Sequence, residues 1–169
     1  MMAILRMLIT QRHIFLLGLL VLAFAAVLAG CGKTRIDSSE KPVRYGALSG
    51  SAVIRTAKTQ LGKKYVYGGH SPQTGFDCSG LIYWSYQQYS VKVPRTTAEQ
   101  RKAGRAVSMK QMRQGDIVVF RTGRARFHTG MYSGGGKFIH SPSRGKHVRE
   151  DSLAAQYWKE RLVSVRRVF

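Results

Sequence analysis

The chain has 169 residues, enough for one domain with its own hydrophobic core, and 44% of them are hydrophobic against 21% charged. This balance excludes an intrinsically disordered chain and a protein with several membrane spans. Lysine and arginine number 28 against 8 aspartates and glutamates, a net charge of +20, and two cysteines are too few for a disulfide scaffold.

The first 30 residues predict an export signal and not a part of the fold. Arg6 and Arg12 give a positive start, and Ile14–Ala29 is a run of 16 apolar and small residues. A membrane-spanning helix needs about 20, whereas the core of a signal peptide is shorter. The run ends in Leu28-Ala29-Gly30-Cys31, which resembles the lipobox of bacterial lipoproteins. The resemblance implies cleavage before Cys31, whose sulfur would carry a diacylglycerol and whose new amino group would be acylated.

An uncleaved anchor helix and a plain signal peptide are the alternatives for this segment. Residue 32 is Gly and not Asp, which by analogy with bacterial sorting favours the outer membrane over the inner one. We therefore expect a lipid anchor at the periplasmic face of a bacterial membrane. Residues 1–30 are the predicted signal peptide, residues 31–50 the acylated cysteine and a flexible tether, and residues 51–169 the folded domain.

Helical patterns come first in the predicted domain, and strand patterns follow. Apolar residues at helical spacing predict a helix over 52–61, and a second helix begins directly after Cys78. Thr96 followed by Glu99 is a capping box, which predicts a short helix that ends near Gly104. Further patterns predict strands over 117–120, 127–132, 137–140 and 162–169 and a short helix over 152–158. This order of elements indicates an α+β fold.

Cys78 is the candidate nucleophile. If Cys31 is acylated, Cys78 is the one remaining thiol in a compartment that favours oxidation. Because Gly75-Phe76-Asp77 predicts a turn and a helical run follows, Cys78 lies at a helix N-terminus, where unpaired N–H groups and the helix dipole favour a thiolate. The alternative is a small buried residue that serves only to pack the core.

Two histidines are candidates to serve this thiol, since a nucleophile needs a base and the base needs an orienting partner. Alternation on both sides of Gly134-Gly135-Gly136 predicts a β-hairpin in which His128 and His140 are neighbours. One ring would accept the thiol proton while the other orients it. Alternatively, His128 is a core residue and His140 is bonded to the following turn. Cys78, His128 and His140 lack the close spacing of zinc ligands, so we expect neither a metal nor another cofactor.

Six motifs, in this order along residues 51–169, resemble the NlpC family of papain-like cell-wall peptidases. They are Tyr65-Val66-Tyr67-Gly68-Gly69, Phe76-Asp77-Cys78-Ser79-Gly80, Val93-Pro94-Arg95-Thr96-Thr97-Ala98-Glu99-Gln100, Gln114-Gly115-Asp116-Ile117-Val118-Val119-Phe120, Phe127-His128-Thr129-Gly130-Met131-Tyr132 and Phe138-Ile139-His140. The resemblance implies a papain-like fold, with the nucleophile at a helix N-terminus packed against an antiparallel sheet that carries both histidines. It implies the following roles: Cys78 nucleophile, His128 general base, His140 orienting residue, Tyr65 oxyanion donor, and Asp77 and Ser79 lining the substrate groove.

The function that the resemblance implies is a peptidoglycan endopeptidase, cutting either the D-Glu–diaminopimelate or the D-Ala–diaminopimelate bond. Two alternatives stay open: an amidase that cuts between muramic acid and L-Ala with the same site, and a non-catalytic lipoprotein that binds the cell wall. A basic surface would attract the carboxylates of the stem peptides and the phosphates of anionic lipids, and so raise their local concentration around the protein. Nucleic acid is not an expected partner of an exported protein. We expect a monomer, with His70 an ordinary loop residue that faces solvent.

Overall fold

The computed structural model describes residues 48–169. The predicted signal peptide, Cys31 and all but the last three residues of the predicted tether lie outside this range. Within residues 48–169, no helix has the length and apolar character needed to cross a membrane.

The described part of the chain begins with helices and ends with strands. In chain order the elements are α1 (Gly50–Lys58), β1 (His70–Ser71), β2 (Gly75–Phe76), α2 (Cys78–Gln87), α3 (Thr97–Gln100), β3 (Arg105–Val107), a 3₁₀ turn (Met109–Gln111), β4 (Ile117–Arg121), β5 (Phe127–Gly134), β6 (Lys137–His140), β7 (Arg149–Ser152), α4 (Gln156–Lys159) and β8 (Leu162–Arg167).

Six strands form one antiparallel sheet in the order β3-β8-β4-β5-β6-β7, and β1 pairs with β2 separately. β5 and β6 form the predicted hairpin, with Met131 opposite Ile139. All three residues of Gly134–Gly136 have positive φ, between 58° and 95°, which glycine adopts without the penalty that other residues incur. The hairpin therefore depends on this glycine run for its turn.

The core lies on both faces of the sheet. On one face, α1 and α2 bury a layer of aliphatic side chains against β4, β5 and β6, and each fully buried side chain of this kind contributes about 1.5–3 kcal/mol. The opposite face carries a smaller cluster around Phe120 and Phe138, against which Trp158 packs. Residues 117–120 of β4 are all buried because they alternate between the two layers. This architecture confirms the α+β class.

Several boundaries differ from the sequence-based predictions. The helix predicted over 152–158 is limited to Gln156–Lys159, because Ser152 belongs to β7, where it pairs with Lys137 of β6. The first helix, Gly50–Lys58, begins two residues earlier and ends three residues earlier than predicted. The helix after Thr96 has the predicted cap, with the Thr96 side chain accepting from the N–H of Glu99, but it ends at Gln100 rather than near Gly104.

Candidate active site

Cys78 lies at a helix N-terminus, as predicted: it is the first residue of α2, and Asp77 is the N-cap. The N–H of Gly80 donates to Oδ1 of Asp77 at 2.6 Å, which satisfies one of the N–H groups left unpaired at a helix start. Cys78 is a free, half-buried thiol, and its Sγ lies 3.5 Å from Oγ1 of Thr97. The thiol thus lies beside the positive end of the helix dipole, where negative charge is stabilised.

Asp77 and Ser79, which flank the thiol, are engaged in internal hydrogen bonds. The Arg95 guanidinium donates to Oδ1 of Asp77 at 3.0 Å and to Oδ2 at 2.8 Å, and the N–H of Gly68 donates to Oδ2 at 3.0 Å. Ser79 is buried, and its hydroxyl donates to Asp77 at 3.2 Å. Both residues line the cleft described below, but the Asp77 carboxylate holds the local backbone in place.

His128 and His140 are neighbours across the hairpin, as predicted. Nε2 of His128 lies 2.8 Å from Nδ1 of His140, and both side chains are buried. Burial, reinforced by His140, lowers the pKa of His128 to about 3, although Asp151 acts in the opposite direction. Burial also lowers the pKa of His140 to about 4, again against the effect of Asp151. Both rings are therefore neutral at pH 7 in the absence of a bound substrate.

Asp151 and Trp158 complete this cluster, and the sequence analysis did not identify either. Nε2 of His140 lies 3.1 Å from Oδ2 of Asp151, and the indole N–H of Trp158 donates to the same oxygen at 3.0 Å. The Trp158 ring stacks on His128 at a centroid distance of 5.4 Å and an angle of 28°. One available signal was composition, because only six acidic residues occur in the very basic segment 51–169, and Asp151 is one of them.

A cleft of about 1290 Å³ brings the candidate residues together. Tyr65, Cys78 and His128 line it, whereas fully buried His140 lies behind His128. Within residues 48–169 no hydrogen bond joins the Cys78 thiol to the His128 ring. The two side chains line the same cleft without a direct contact of this kind. Catalytic hydrogen bonds often tighten only when substrate is bound. Burial raises the pKa of Tyr65, and Cys78 and Asp77, which line the same cleft, raise it further.

Basic and aromatic side chains line other parts of the cleft. Arg126, Lys146 and Arg149 contribute positive charge, and the Tyr67 side chain is 85% exposed at the wall. His70 is exposed, as predicted, but it belongs to β1 and not to a loop, and it lines the cleft, with Nδ1 3.1 Å from the carbonyl oxygen of Gly68. In the part of the chain that the structure describes, no three His, Cys, Asp or Glu side chains are grouped to hold a metal ion.

Comparison with known proteins gives consistent matches. Residues 62–167 match the NlpC/P60 family. Murein DD-endopeptidase MepH of Escherichia coli (strain K12) is 44% identical over 114 residues, which cover 64% of this chain and 42% of that protein. The bifunctional muramidase/DL-endopeptidase CwlT of Bacillus subtilis (strain 168) is 36% identical over 135 residues, which cover 78% of this chain and 40% of that protein.

Solved structures show the same fold. The crystal structure of an NlpC/P60 family protein from Bacillus cereus ATCC 10987 superposes with a TM-score of 0.68 and 31% identity, covering 72% of this chain and 40% of that one. Both the structural and the sequence matches thus extend over most of the described domain. The chain spans less than half the length of the two curated relatives.

Proposed function

The chain belongs to the NlpC/P60 family, and from that premise we propose that it is a cysteine peptidase that hydrolyses amide bonds in the peptides of peptidoglycan. The observation that carries the proposal is the cleft: it is lined both by a thiol at a helix N-terminus and by a histidine that is hydrogen-bonded to a second histidine. The names of the relatives support the substrate, since one is a murein DD-endopeptidase and the other a DL-endopeptidase.

The proposed reaction starts with attack of the Cys78 sulfur on the amide carbonyl carbon. His128 accepts the thiol proton. Because Nε2 of His128 is hydrogen-bonded to His140, Nδ1 of His128 is the nitrogen that accepts this proton. His128 then protonates the leaving amine, the C–N bond breaks and a thioester remains on Cys78. Water hydrolyses the thioester and restores the thiol.

The negative oxygen of the tetrahedral intermediate needs hydrogen-bond donors that are already in place. The backbone N–H of Cys78, at the start of α2, is one candidate, and the hydroxyl of Tyr65 at the cleft wall is the other. Removal of one such donor typically costs about 3 kcal/mol of transition-state stabilisation. His140 orients His128 in this scheme and does not touch the substrate.

The charge of the cleft wall supports an acidic peptide as substrate. Stem peptides carry free carboxylates from D-Glu, diaminopimelate and terminal D-Ala, and Arg126, Lys146 and Arg149 present positive charge to the cleft. Cleavage at D-Ala–diaminopimelate and cleavage at D-Glu–diaminopimelate both fit this wall, and the names of the relatives cover both DD and DL specificity.

Incubation of the purified protein with isolated murein sacculi, followed by mass spectrometry of the soluble products, tests the proposal. We expect muropeptides cleaved within the peptide, and the product masses identify the bond. Cys78→Ala protein provides the blank. Release of intact stem peptides free of sugar would instead assign an amidase, and binding without any soluble product would assign a cell-wall-binding lipoprotein.

We further propose that the protein acts as a monomer held by acyl chains on Cys31 at the periplasmic face of the outer membrane. The support is the sequence Leu28-Ala29-Gly30-Cys31 after an apolar run, followed by Gly32. Several acyl chains hold a protein firmly, because each buried methylene contributes about 0.8 kcal/mol. Labelling of the parent but not of Cys31→Ser with radioactive palmitate, and recovery of label in the outer-membrane fraction, is the expected result.

A further inference from the structure

We infer that Asp151 is a positioning residue that sets the direction of proton transfer through the histidine pair. Its carboxylate selects the tautomer in which His128 presents a lone pair to the cleft. The catalytic role of Asp151 in this inference rests on the proposed function. The positions of the ring protons of His128 and His140 can be observed without it.

Oδ2 of Asp151 is surrounded by donors. Nε1 of Trp158 lies at 3.0 Å and a guanidinium nitrogen of Arg149 at 2.9 Å, and neither group has a lone pair to offer. Burial raises the pKa of Asp151, but hydrogen bonds from Arg149 and Trp158, together with His140, outweigh burial and hold the pKa below its usual value. Asp151 is therefore an ionised acceptor at neutral pH, and Nε2 of His140, 3.1 Å away, must be the donor.

The position of one proton then determines the next. A neutral imidazole carries a single N–H, so His140 protonated at Nε2 has a bare Nδ1. That nitrogen can only accept, and its partner at 2.8 Å, Nε2 of His128, must carry the proton. Nδ1 of His128 is consequently unprotonated and able to accept a proton from a thiol. Without the carboxylate, the opposite arrangement would be allowed, with His128 protonated at Nδ1 and useless as a base.

Among the described residues, Asp151 is the only anionic side chain near His128 and His140. Asp151, Arg149 and Lys146 are the charged groups that influence the pKa of His140. His140 and Asp151 influence the pKa of His128. The aromatic rings of Phe120, Phe138 and Trp158 pack around the two imidazoles. Trp158 connects both parts of the arrangement, because it donates to Asp151 and stacks on His128.

The chain offers a matched control one residue away. Glu150 lies on the same strand, β7, and its carboxylate pairs with Lys58 at 3.3 Å. Adjacent strand residues point to opposite faces, so Glu150→Gln removes the same charge from the same strand without touching the histidines. Asp151→Leu keeps the approximate size of the side chain and removes the acceptor, and Asp151→Glu keeps the carboxylate.

The direct test is a long-range ¹H–¹⁵N correlation spectrum of the histidine rings in the ¹⁵N-labelled 169-residue protein near neutral pH. We expect His128 and His140 of the parent both to be protonated at Nε2, and Glu150→Gln to give the same spectrum. A ring of His140 protonated at Nδ1 in the parent would overturn the inference, whatever the variants do. This readout requires no enzymatic activity.

Kinetics on soluble muropeptides supply the second test. Asp151→Leu should lower kcat at least about tenfold with KM nearly unchanged, because the acceptor that fixes the tautomer is lost while the side chain keeps about the same size. Asp151→Glu should restore part of the loss, and Glu150→Gln should match the parent. An Asp151→Leu enzyme as fast as the parent would contradict the inference while leaving the proposed peptidase intact. If instead the parent itself cleaves no murein, the proposed function fails, and the tautomers still decide the role of Asp151.

Discussion

Arg95 donates a hydrogen bond to each carboxylate oxygen of Asp77, the residue immediately before Cys78 in the chain. The same guanidinium donates to the carbonyl oxygen of Gly69 at 3.1 Å. One side chain thus joins the turn that carries the thiol to the loop that follows Tyr65. The position of the nucleophile therefore depends on this contact as well as on its own helix.

Substitution of Arg95 by Ala should lower both stability and activity. The Asp77 carboxylate would lose its charged partner, and we expect a loss of roughly 1–3 kcal/mol in the free energy of unfolding together with slower murein hydrolysis. Arg95→Lys should recover little, because an ammonium cannot bond to both oxygens in the same geometry. Urea denaturation measures the first effect, and Arg124→Ala, at an exposed loop position, is the control that should match the parent. Equal stability of Arg95→Ala and Arg124→Ala would contradict this account.

Loss of the buried ion pair between Asp116 and Arg167 should lower the free energy of unfolding more than loss of an exposed ion pair. Nε and a terminal nitrogen of Arg167 each lie 2.6 Å from an Asp116 oxygen, and the two side chains are almost fully buried. Asp116→Ala would leave a buried guanidinium without its anion, which costs roughly 3–5 kcal/mol in the free energy of unfolding. The exposed pair of Arg161 and Glu160, at 3.4 Å, offers a comparison. Glu160→Gln should change stability by less than about 1 kcal/mol in the same urea titration.

The histidine pair predicts a loss of stability in mild acid. Burial lowers the pKa of His128 to about 3 and of His140 to about 4. An unfolded histidine has a pKa of about 6.5, so from about pH 6.5 down to about pH 4 the unfolded chain binds protons that the folded protein does not. The free energy of unfolding should therefore fall as pH is lowered, by up to about 1.4 kcal/mol per pH unit for each histidine.

Urea unfolding at about pH 7 and at about pH 5 measures this dependence. His128→Asn should flatten it, because one of the two buried imidazoles is gone. His147→Asn, at an exposed loop position, serves as the matched control and should keep the slope of the parent. A parent protein that is as stable at the lower pH as at the higher one would show that the histidines are not buried as described.

Gly80 should tolerate no larger side chain. A Cβ built at this position would overlap the carbonyl oxygen of Gly69 and approach both Asp77 and Arg95. Gly80→Ala should therefore displace the turn before Cys78 and cost roughly 1–3 kcal/mol in stability. Gly123→Ala is the control, since its Cβ would meet only the Arg126 side chain, at 3.4 Å. Equal melting temperatures of Gly80→Ala and Gly123→Ala would contradict the close approach of Gly80 to the carbonyl oxygen of Gly69.

The parts of the site that were predictable from sequence are those determined by local chain geometry. A turn over Gly75-Phe76-Asp77 before a helical run indicates that Cys78 lies at a helix N-terminus, and the structure confirms it. A run of three glycines between alternating segments indicates a hairpin, and the hairpin brings His128 and His140 to 2.8 Å. In both cases the residues that matter lie within one supersecondary unit.

Asp151 was missed because its strand has no local signature. β7 is an Arg-Glu-Asp-Ser segment without hydrophobic alternation, and it is a strand because it pairs with β6 across an intervening loop. The same pairing explains why the predicted helix over 152–158 begins later than expected. Tertiary pairing overrides local propensity here, and a single sequence does not display it.

The rate of murein hydrolysis by two cysteine variants tests the central claim most directly. Cys78→Ser and Cys31→Ser make the same chemical change, one in the cleft and one in the predicted lipid attachment site. Assayed on solubilised muropeptides at equal protein concentration, Cys31→Ser should hydrolyse at the rate of the parent, and Cys78→Ser should retain less than about a thousandth of it. Hydrolysis by Cys78→Ser at the rate of the parent would contradict a mechanism in which this sulfur attacks the peptide bond.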